Sequence, residues 1–255
     1  MTDAFALTRR TTLAGLAAGT ALTLTAAGAW AAEPQGSALF RHGVASGDPD
    51  ATSVVIWTRI SASGAMPVEW EVAHDADFKQ LAASGRTEAL PDADFTVKVL
   101  AQGLQPGGRY HYRFRAGGLT SPTGRTRTLP TGRLDRLGIA LASCSNYAFG
   151  FFNAYAAIAR DSGVDFVLHT GDYIYEYGAG EWGADTARAL GRVHQPAHEI
   201  VSLTDYRQRH AQYKTDAGAQ AMHAAHPLLA CWDDHESANN PWIGGAQNHQ
   251  ADKEG

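Results

Sequence analysis

The first part of the chain after residue 40 alternates apolar and polar positions. Residues 53–58, 68–72, 95–99 and 110–114 each alternate with a period of two, and Gly, Pro or Asp residues separate them. This period is typical of strands that bury one face. We therefore predict an antiparallel β-sandwich, fibronectin type III-like, over residues 38–130. The alternative, that these strands belong to the domain that follows, stays open.

After Pro130 the pattern changes to short apolar runs that alternate with helical stretches. The apolar runs, each predicted to be a buried strand, are residues 137–142, 164–169 and 228–232. Helices are predicted over 203–213, with Thr204 as its cap, and over 217–225, whereas the polar, Gly-rich residues 178–191 indicate a long loop. The alternation predicts a mainly parallel sheet over residues 135–255, so the overall class is α+β and multi-domain.

The first 31 residues have the pattern of an export signal. Arg9 and Arg10 precede an uncharged, mildly apolar run over residues 13–27, and small residues surround Trp30. The run is too short and too weakly apolar for a stable membrane span, and paired arginines resemble the signal of the Tat translocation machinery. We predict a cleaved signal over 1–31, a periplasmic or extracellular location, and no membrane span in the mature chain. A helix of the mature domain is the alternative.

Charge and cysteine content exclude two classes of protein. The chain of 255 residues has 26 acidic residues against 21 lysines and arginines, so no basic excess indicates a nucleic-acid partner. Two cysteines, Cys144 and Cys231, are too few for a disulfide-rich scaffold. Cys231 lies in an apolar run and is predicted to be buried, although a disulfide between the two cysteines stays open.

Residues that can carry chemistry follow three of the predicted strands. They occur in the segments 143–146 (Ser-Cys-Ser-Asn), 171–175 (Gly-Asp-Tyr-Ile-Tyr) and 233–236 (Asp-Asp-His-Glu). In open α/β sheets ligands bind beyond the carboxyl ends of the strands, so we expect these segments to meet in one crevice. Taken singly, each has an ordinary structural explanation, such as a turn Asp or a buried Cys. Ser143 and Ser145 have no base at a suitable spacing and are not predicted nucleophiles.

Two arginines on the predicted helix 203–213 leave two interpretations open. Arg207 and Arg209 either hold a phosphate group or belong to a solvated helix face.

The same segments resemble a known family. Gly171-Asp172-x-x-Tyr175 is similar to the signature of metallophosphoesterases of the purple acid phosphatase type. Longer strings resemble, in the same order, those of the PhoD-type alkaline phosphatases; they are residues 42–49 (HGVASGDP), 141–146 (LASCSN), 169–177 (HTGDYIYEY) and 231–236 (CWDDHE). The resemblance covers essentially the whole chain and implies an α/β metallophosphoesterase sandwich after the β-sandwich.

This resemblance implies a metal centre with one iron(III) and associated calcium ions. Cys144 matches the thiolate ligand of iron, Asp172 the carboxylate that bridges metals, and Tyr175 the phenolate bound to iron. Asp234 matches a metal-ligating position before His-Glu. Ferric iron suits carboxylate, phenolate and thiolate ligands, and calcium takes oxygen ligands, which agrees with this set.

The remaining site positions also come from the resemblance. Either Asn239 or Asn240 matches an Asn near the metals and phosphate, and the sequence leaves the choice open. His235 matches a histidine that stabilises the transition state or the leaving group, so His235 and Asp172 are the expected catalytic residues. Asp233 is the weaker of the paired aspartates, and Glu236 is expected to lie outside the ligand shell.

The implied activity is hydrolysis of a phosphate-ester substrate by metal-bound hydroxide. Phosphomonoesters are the expected substrates, and the motifs do not exclude phosphodiesters. Family members draw further ligands from strands beyond these motifs, so residues 135–255 are expected to be an incomplete metallophosphatase domain and the chain an amino-terminal portion. The alternative is a secreted, non-catalytic binding module with a degenerate metallophosphoesterase domain.

Overall fold

A computed structural model describes residues 38–248, and the predicted signal at 1–31 lies outside this range. Within it, no helix combines the length and the apolar character that crossing a bilayer would need. The strands of this part are β1 (Val44–Gly47), β2 (Ser53–Arg59), β3 (Met66–Ala73), β4 (Leu81–Ala89), β5 (Thr96–Gln102), β6 (Arg109–Ala116), β7 (Leu119–Thr120), β8 (Gly124–Arg127), β9 (Ile139–Ala142), β10 (Phe166–His169) and β11 (Leu228–Ala230). The helices are α1 (Asn153–Arg160), α2 (Ala184–Leu190), α3 (Leu203–Tyr213) and α4 (Ala217–Ala225).

Strands β1 to β8 form two antiparallel layers around one apolar core. One layer has the order β1-β2-β5, and the other has β4-β3-β6, with β7 and β8 both paired to β6. The core between them includes Val54, Ile56, Val68, Tyr112 and Phe114, all fully buried. Alternation of burial along β2 and β6 follows the period of two in the sequence, so these strands are confirmed.

Strand β4 has no counterpart among the predicted strands. Its sequence, LAASGRTEA, contains one β-branched residue, so it has no strand signal of its own. It pairs along its length with β3, and Gly85 lies under the ring of Trp70, where an added Cβ would approach that ring to 2.6 Å. Tertiary pairing therefore determines this edge strand.

Strands β9, β10 and β11 form the predicted parallel sheet. β10 lies in the middle, with Phe166 opposite Ile139 and Val167 opposite Leu228. On one face, α1 and α4 cover the sheet and share a core that includes Tyr155, Val167, Ala219 and Met222. Because the three strands are parallel, the three loops predicted to carry the chemistry leave the sheet at the same edge.

The parallel sheet is continuous with one layer of the sandwich. β1 pairs in parallel with β11 at Gly47 and Leu228, which joins six strands in the order β5-β2-β1-β11-β10-β9. A side chain at Gly47 would place its Cβ 2.7 Å from the carbonyl oxygen of Leu228, so this contact requires glycine. Asp165, before β10, also forms ion pairs with Arg109 and Arg127 of the sandwich.

Two details of the predicted helices are wrong. Residues 178–191, predicted as a long loop, contain α2 between Gly183 and Gly191, both of which have positive φ. The glycines of this segment indicated a loop, but two of them, Gly183 and Gly191, lie at the two ends of a short helix. Helix α3 has the predicted bounds, but Ser202 rather than Thr204 is its N-cap, in a capping box with Asp205.

The other face of the parallel sheet is exposed among the described residues. Ile139, Leu141 and Leu168 are 56%, 68% and 38% exposed, and Trp232 after β11 is 83% exposed. The prediction of a buried strand through Trp232 is therefore wrong in two respects, since β11 ends at Ala230 and its residues are half-buried or exposed.

Both cysteines are free and exposed. The predicted burial of Cys231 is wrong because it follows the end of β11, where the chain leaves the sheet. The structure also contradicts the alternative of a Cys144–Cys231 disulfide.

Candidate metal centre

The first two loops of the site have strained backbones that bond to each other. Cys144 and Asp172 have φ values of 56° and 54°, in the left-handed region that residues other than Gly rarely adopt. The N–H of Cys144 donates to the carbonyl of Gly171 at 3.3 Å, and the N–H of Ser145 donates to that of Asp172 at 3.0 Å. Strain of this kind persists where surrounding contacts determine the conformation, and it concentrates at functional sites.

The third loop packs directly on the second. Gly171 has a φ of 101°, and a Cβ there would lie 2.4 Å from the backbone nitrogen of Asp233. The Glu236 carboxylate accepts hydrogen bonds from the N–H groups of Asp172 at 2.9 Å, Asp233 at 2.7 Å and Tyr173. Glu236 therefore connects the loops after β10 and β11.

Asp172 is the centre of the contacts in this crevice. Its Oδ2 accepts from the Cys144 thiol at 3.4 Å and from the Tyr175 phenol at 3.3 Å, and its Oδ1 accepts from the backbone N–H of His235 at 3.4 Å. The side chain is 6% exposed. Three residues expected from separate motifs thus contact one carboxylate.

A second carboxylate and an imidazole complete the cluster. Potential ligand atoms of Asp172, Asp234 and His235 all lie within 4.8 Å of one another. Burial raises the pKa of Asp172, and the nearby Cys144 and His235 oppose this shift. For Asp234, burial acts in the same direction, but the N–H of Asn240 at 2.8 Å and the charge of His235 outweigh it and lower the pKa. A cation between the two would favour ionisation of both carboxylates.

The phenol of Tyr175 is held in an environment that opposes its ionisation. Burial raises its pKa well above the usual value, and the charges of Asp172 and Cys144 raise it further. A phenolate here would need a cation beside it, and the thiol and carboxylate next to it are groups that such a cation would also bind. The donor set of Cys144, Asp172, Tyr175 and Asp234 is therefore chemically suited to hold metal ions.

His235 is oriented by a residue that the sequence analysis missed. Glu176 is completely buried, and its Oε2 lies 2.9 Å from Nδ1 of His235. The rings of Tyr175 and Trp182 pack against the imidazole, with centroids 4.2 Å and 6.3 Å away. With Nδ1 bonded to a carboxylate, Nε2 is the nitrogen left for other partners. Glu176 lies within the string 169–177. A glutamate among apolar and aromatic residues was the feature of the sequence that could have indicated its role.

The two candidate asparagines have different surroundings. The N–H of Asn239 donates to Glu176 at 2.8 Å, and its side chain donates to Gln247. Asn240 has a φ of 50°, and its side chain donates to Asn239 at 3.0 Å. Only the backbone of Asn240 contacts a predicted ligand, Asp234, so the role of either amide as a ligand stays a prediction.

Neither interpretation of Arg209 is correct. Its guanidinium is fully buried and donates to the carbonyls of Tyr175, Gln195 and Pro196. It is therefore unavailable to phosphate and instead connects α3 to the segment that carries Tyr175. Arg207 donates to the carbonyl of Asp92 and thus contacts the sandwich.

The structure places a histidine near Ser145 that the sequence spacing did not indicate. Nε2 of His169 lies 3.5 Å from Oγ of Ser145, but it bonds the hydroxyl of Tyr155 at 2.6 Å. Nδ1 of His169 accepts from the N–H of Gly171 at 3.3 Å, so Nε2 is the nitrogen that carries the proton. This histidine is not a base for Ser145, and the serine stays excluded as a nucleophile.

Comparisons with known proteins identify the family of this chain. The family model described as "PhoD-like phosphatase" matches residues 139–255, and that of the "PhoD-like phosphatase, N-terminal domain" matches residues 25–130. Alkaline phosphatase D of Bacillus subtilis (strain 168) is 44% identical over 244 residues, which cover 89% of this chain and 41% of the relative. A solved structure of PhoD is 42% identical and superposes with a TM-score of 0.75 over 83% of this chain and 42% of the other.

The chain thus spans about two fifths of the length of these relatives. Together the two family models match most of its residues, in the order that the sequence motifs predicted. The chain therefore belongs to the PhoD-like phosphatase family.

Proposed function

We propose that this chain belongs to an exported, metal-dependent phosphatase and supplies part of its catalytic centre. The observation that carries the proposal is the convergence of three strand-end loops on Asp172, which contacts the Cys144 thiol and the Tyr175 phenol and lies beside Asp234 and His235. Phosphate release from mono- and diester substrates, together with metal analysis of protein purified without chelators, tests it. Absence of both bound metal and phosphate release would contradict it.

Each ligand has a proposed partner. Cys144, Asp172 and Tyr175 would hold iron(III), because a thiolate, a carboxylate and a phenolate are anionic donors of the kind that it accepts. Asp172 would also bridge to calcium, with Asp234 and the amide of Asn239 or Asn240 as further oxygen ligands. When bound, such ions neutralise charge on phosphoryl oxygens and lower the pKa of a coordinated water.

His235 has a proposed role in proton transfer. Its Nε2 would donate a proton to the leaving-group oxygen of the ester, while Glu176 holds the ring through Nδ1 at 2.9 Å. Packing of Tyr175 and Trp182 against the imidazole limits its rotation. The substrate class follows from this chemistry: phosphomonoesters, and phosphodiesters where the second ester group fits. A non-catalytic binding module is not favoured, because it would have no need for this donor set.

Replacement of Tyr175 by Phe tests the proposed iron ligands. A phenolate or thiolate bound to iron(III) absorbs visible light, so the metal-loaded protein should be coloured, and Tyr175→Phe should bleach or strongly shift the band. Tyr177→Phe is the matched control, since Tyr177 makes ring contacts with the same Trp182 and His235. The measurement is a visible absorption spectrum beside an iron determination. Iron-loaded protein whose spectrum is unchanged in Tyr175→Phe would refute the phenolate ligand.

Export by the Tat route is tested at the two arginines before residue 13. Lysine in place of both Arg9 and Arg10 keeps the charge, but it should retain the protein in the cytoplasm, because the route requires the arginine pair. Fractionation of cells that express the two forms measures this. Unchanged export after the replacement would remove the Tat assignment.

We also propose that residues 38–130 are a fibronectin type III-like β-sandwich domain and that residues 135–255 are part of the metallophosphatase domain. The strand orders β1-β2-β5 and β4-β3-β6 support the first unit, and the parallel order β11-β10-β9 supports the second.

A further inference from the structure

An aromatic cleft of about 450 Å³ opens beside the candidate metal centre. Cys144 and Tyr175 lie in its wall, so a ligand in the cleft would reach the proposed iron ligands. The wall also contains three large apolar side chains, Phe149, Phe151 and Trp182, which we call the aromatic shelf. The volume lies within the range of small-molecule sites, roughly 300–1,000 Å³.

The aromatic shelf extends from the reacting groups outward. Trp182 lies nearly parallel to the His235 ring, with an interplanar angle of 14° and a centroid distance of 6.3 Å. On its outer side, Trp182 packs against Phe149, with centroids 4.6 Å apart. A molecule whose phosphorus lies near Asp172 would therefore have its organic part within reach of these rings.

The local backbone allows this close packing. Gly183 follows Trp182 directly, has a φ of 86°, and begins α2 as its N-cap. A Cβ at this position would lie 2.8 Å from the ring of Phe149, so any other residue would displace that ring. The shelf is thus supported by a tight contact between the Phe149 turn and the start of α2.

The three rings are nevertheless exposed to solvent. Phe149 is 45% exposed, Trp182 53% and Phe151 60%, whereas the neighbouring Tyr175 and His235 are 4% and 8% exposed. Grouped apolar exposure of this kind is typical of ligand-binding grooves. Phosphate gains nothing from it, because the face of an aromatic ring carries partial negative charge and offers no hydrogen-bond donor.

We propose that the aromatic shelf binds the organic group of the phosphoester and makes the site selective for planar or apolar leaving groups. The proposal rests on the phosphatase function above. Among the described residues no acidic side chain lines the cleft, so a cationic organic group would be held by the ring faces alone. Trp182 and Phe149 determine specificity in this arrangement, while ions held by Asp172 and its neighbours would bind the phosphoryl group.

Binding of non-hydrolysable phosphonates to the metal-loaded chain tests this by isothermal titration calorimetry. Phenylphosphonate should bind at least tenfold more tightly than methylphosphonate. Trp182→Leu should remove most of this preference, and Phe149→Ala should reduce the preference. Trp70→Leu, a half-buried tryptophan on β3, is the matched control and should keep the preference.

The possible outcomes separate the two proposals. Equal affinity for the two phosphonates in the unsubstituted chain, or a preference that persists in Trp182→Leu, overturns the aromatic shelf and leaves the phosphatase function in place. Failure of every phosphonate and of inorganic phosphate to bind the metal-loaded chain overturns both. Tighter binding of 2-(trimethylammonio)ethylphosphonate than of phenylphosphonate also overturns the proposal, since it would indicate recognition of a cation.

Discussion

Asp172→Asn is expected to lose bound metal and to lower phosphate release at least about 100-fold. Removal of one electrostatic stabiliser from an active site lowers the rate by roughly 10²–10³-fold. The substitution removes the negative charge of the carboxylate that the Cys144 thiol and the Tyr175 phenol both contact. Asn tolerates the left-handed backbone at φ 54°, so the fold is kept and the effect reports on the charge. Asp172→Ala would add backbone strain of about 1–2 kcal/mol to the same loss.

Metal content per chain and phosphate release from an aryl phosphate are the two measurements. Asp77→Asn is the matched control, because Asp77 is an exposed aspartate on the sandwich that pairs with Lys79. Full metal occupancy and near-normal turnover in Asp172→Asn would show that the carboxylate does not bridge metals.

His235→Ala should keep the metal and lower turnover by about two to four decades, the usual range for one positioned acid–base group. The imidazole is buried and bonded to Glu176, which makes it an oriented group rather than a flexible surface side chain. Its loss should affect kcat more than KM, since the proposed proton transfer occurs in the transition state. A leaving group of low pKa should be hydrolysed with a smaller penalty, because it needs less help from an acid.

His198→Ala is the control for this second prediction. His198 is exposed and bonds Asp205 at 3.1 Å in the capping region of α3, away from the Asp172 cluster. Loss of metal from His235→Ala would make the histidine a ligand rather than a proton donor. An unchanged kcat with every leaving group would remove it from the mechanism.

Much of the secondary structure was predictable because local pattern and tertiary context agree. Strands β2 and β6 alternate in sequence as they alternate in burial, and α3 and α4 have the predicted bounds. Prediction was wrong where local signals were weak. Strand β4 has few β-branched residues and exists through its pairing with β3, and α2 is a short helix among glycines.

The candidate site was predictable to the level of its three loops. Cys144, Asp172 and His235 follow three strands whose parallel order brings their carboxyl ends to one edge. Their supporting contacts were not predictable. Glu176 and Glu236 bond groups 59 to 64 positions away in sequence, and no local pattern reports a contact of that range.

The sequence by itself determined the strands and helices that have a clear local pattern, the residue types available for chemistry and the family resemblance, because each of these depends on local periodicity or on short strings. Tertiary structure decided which groups meet. The left-handed turns at Cys144 and Asp172, the burial of Arg209 away from any ligand and the aromatic shelf beside Tyr175 all depend on packing between distant segments. Such packing follows from the sum of many weak contacts across the fold, which no single stretch of sequence contains.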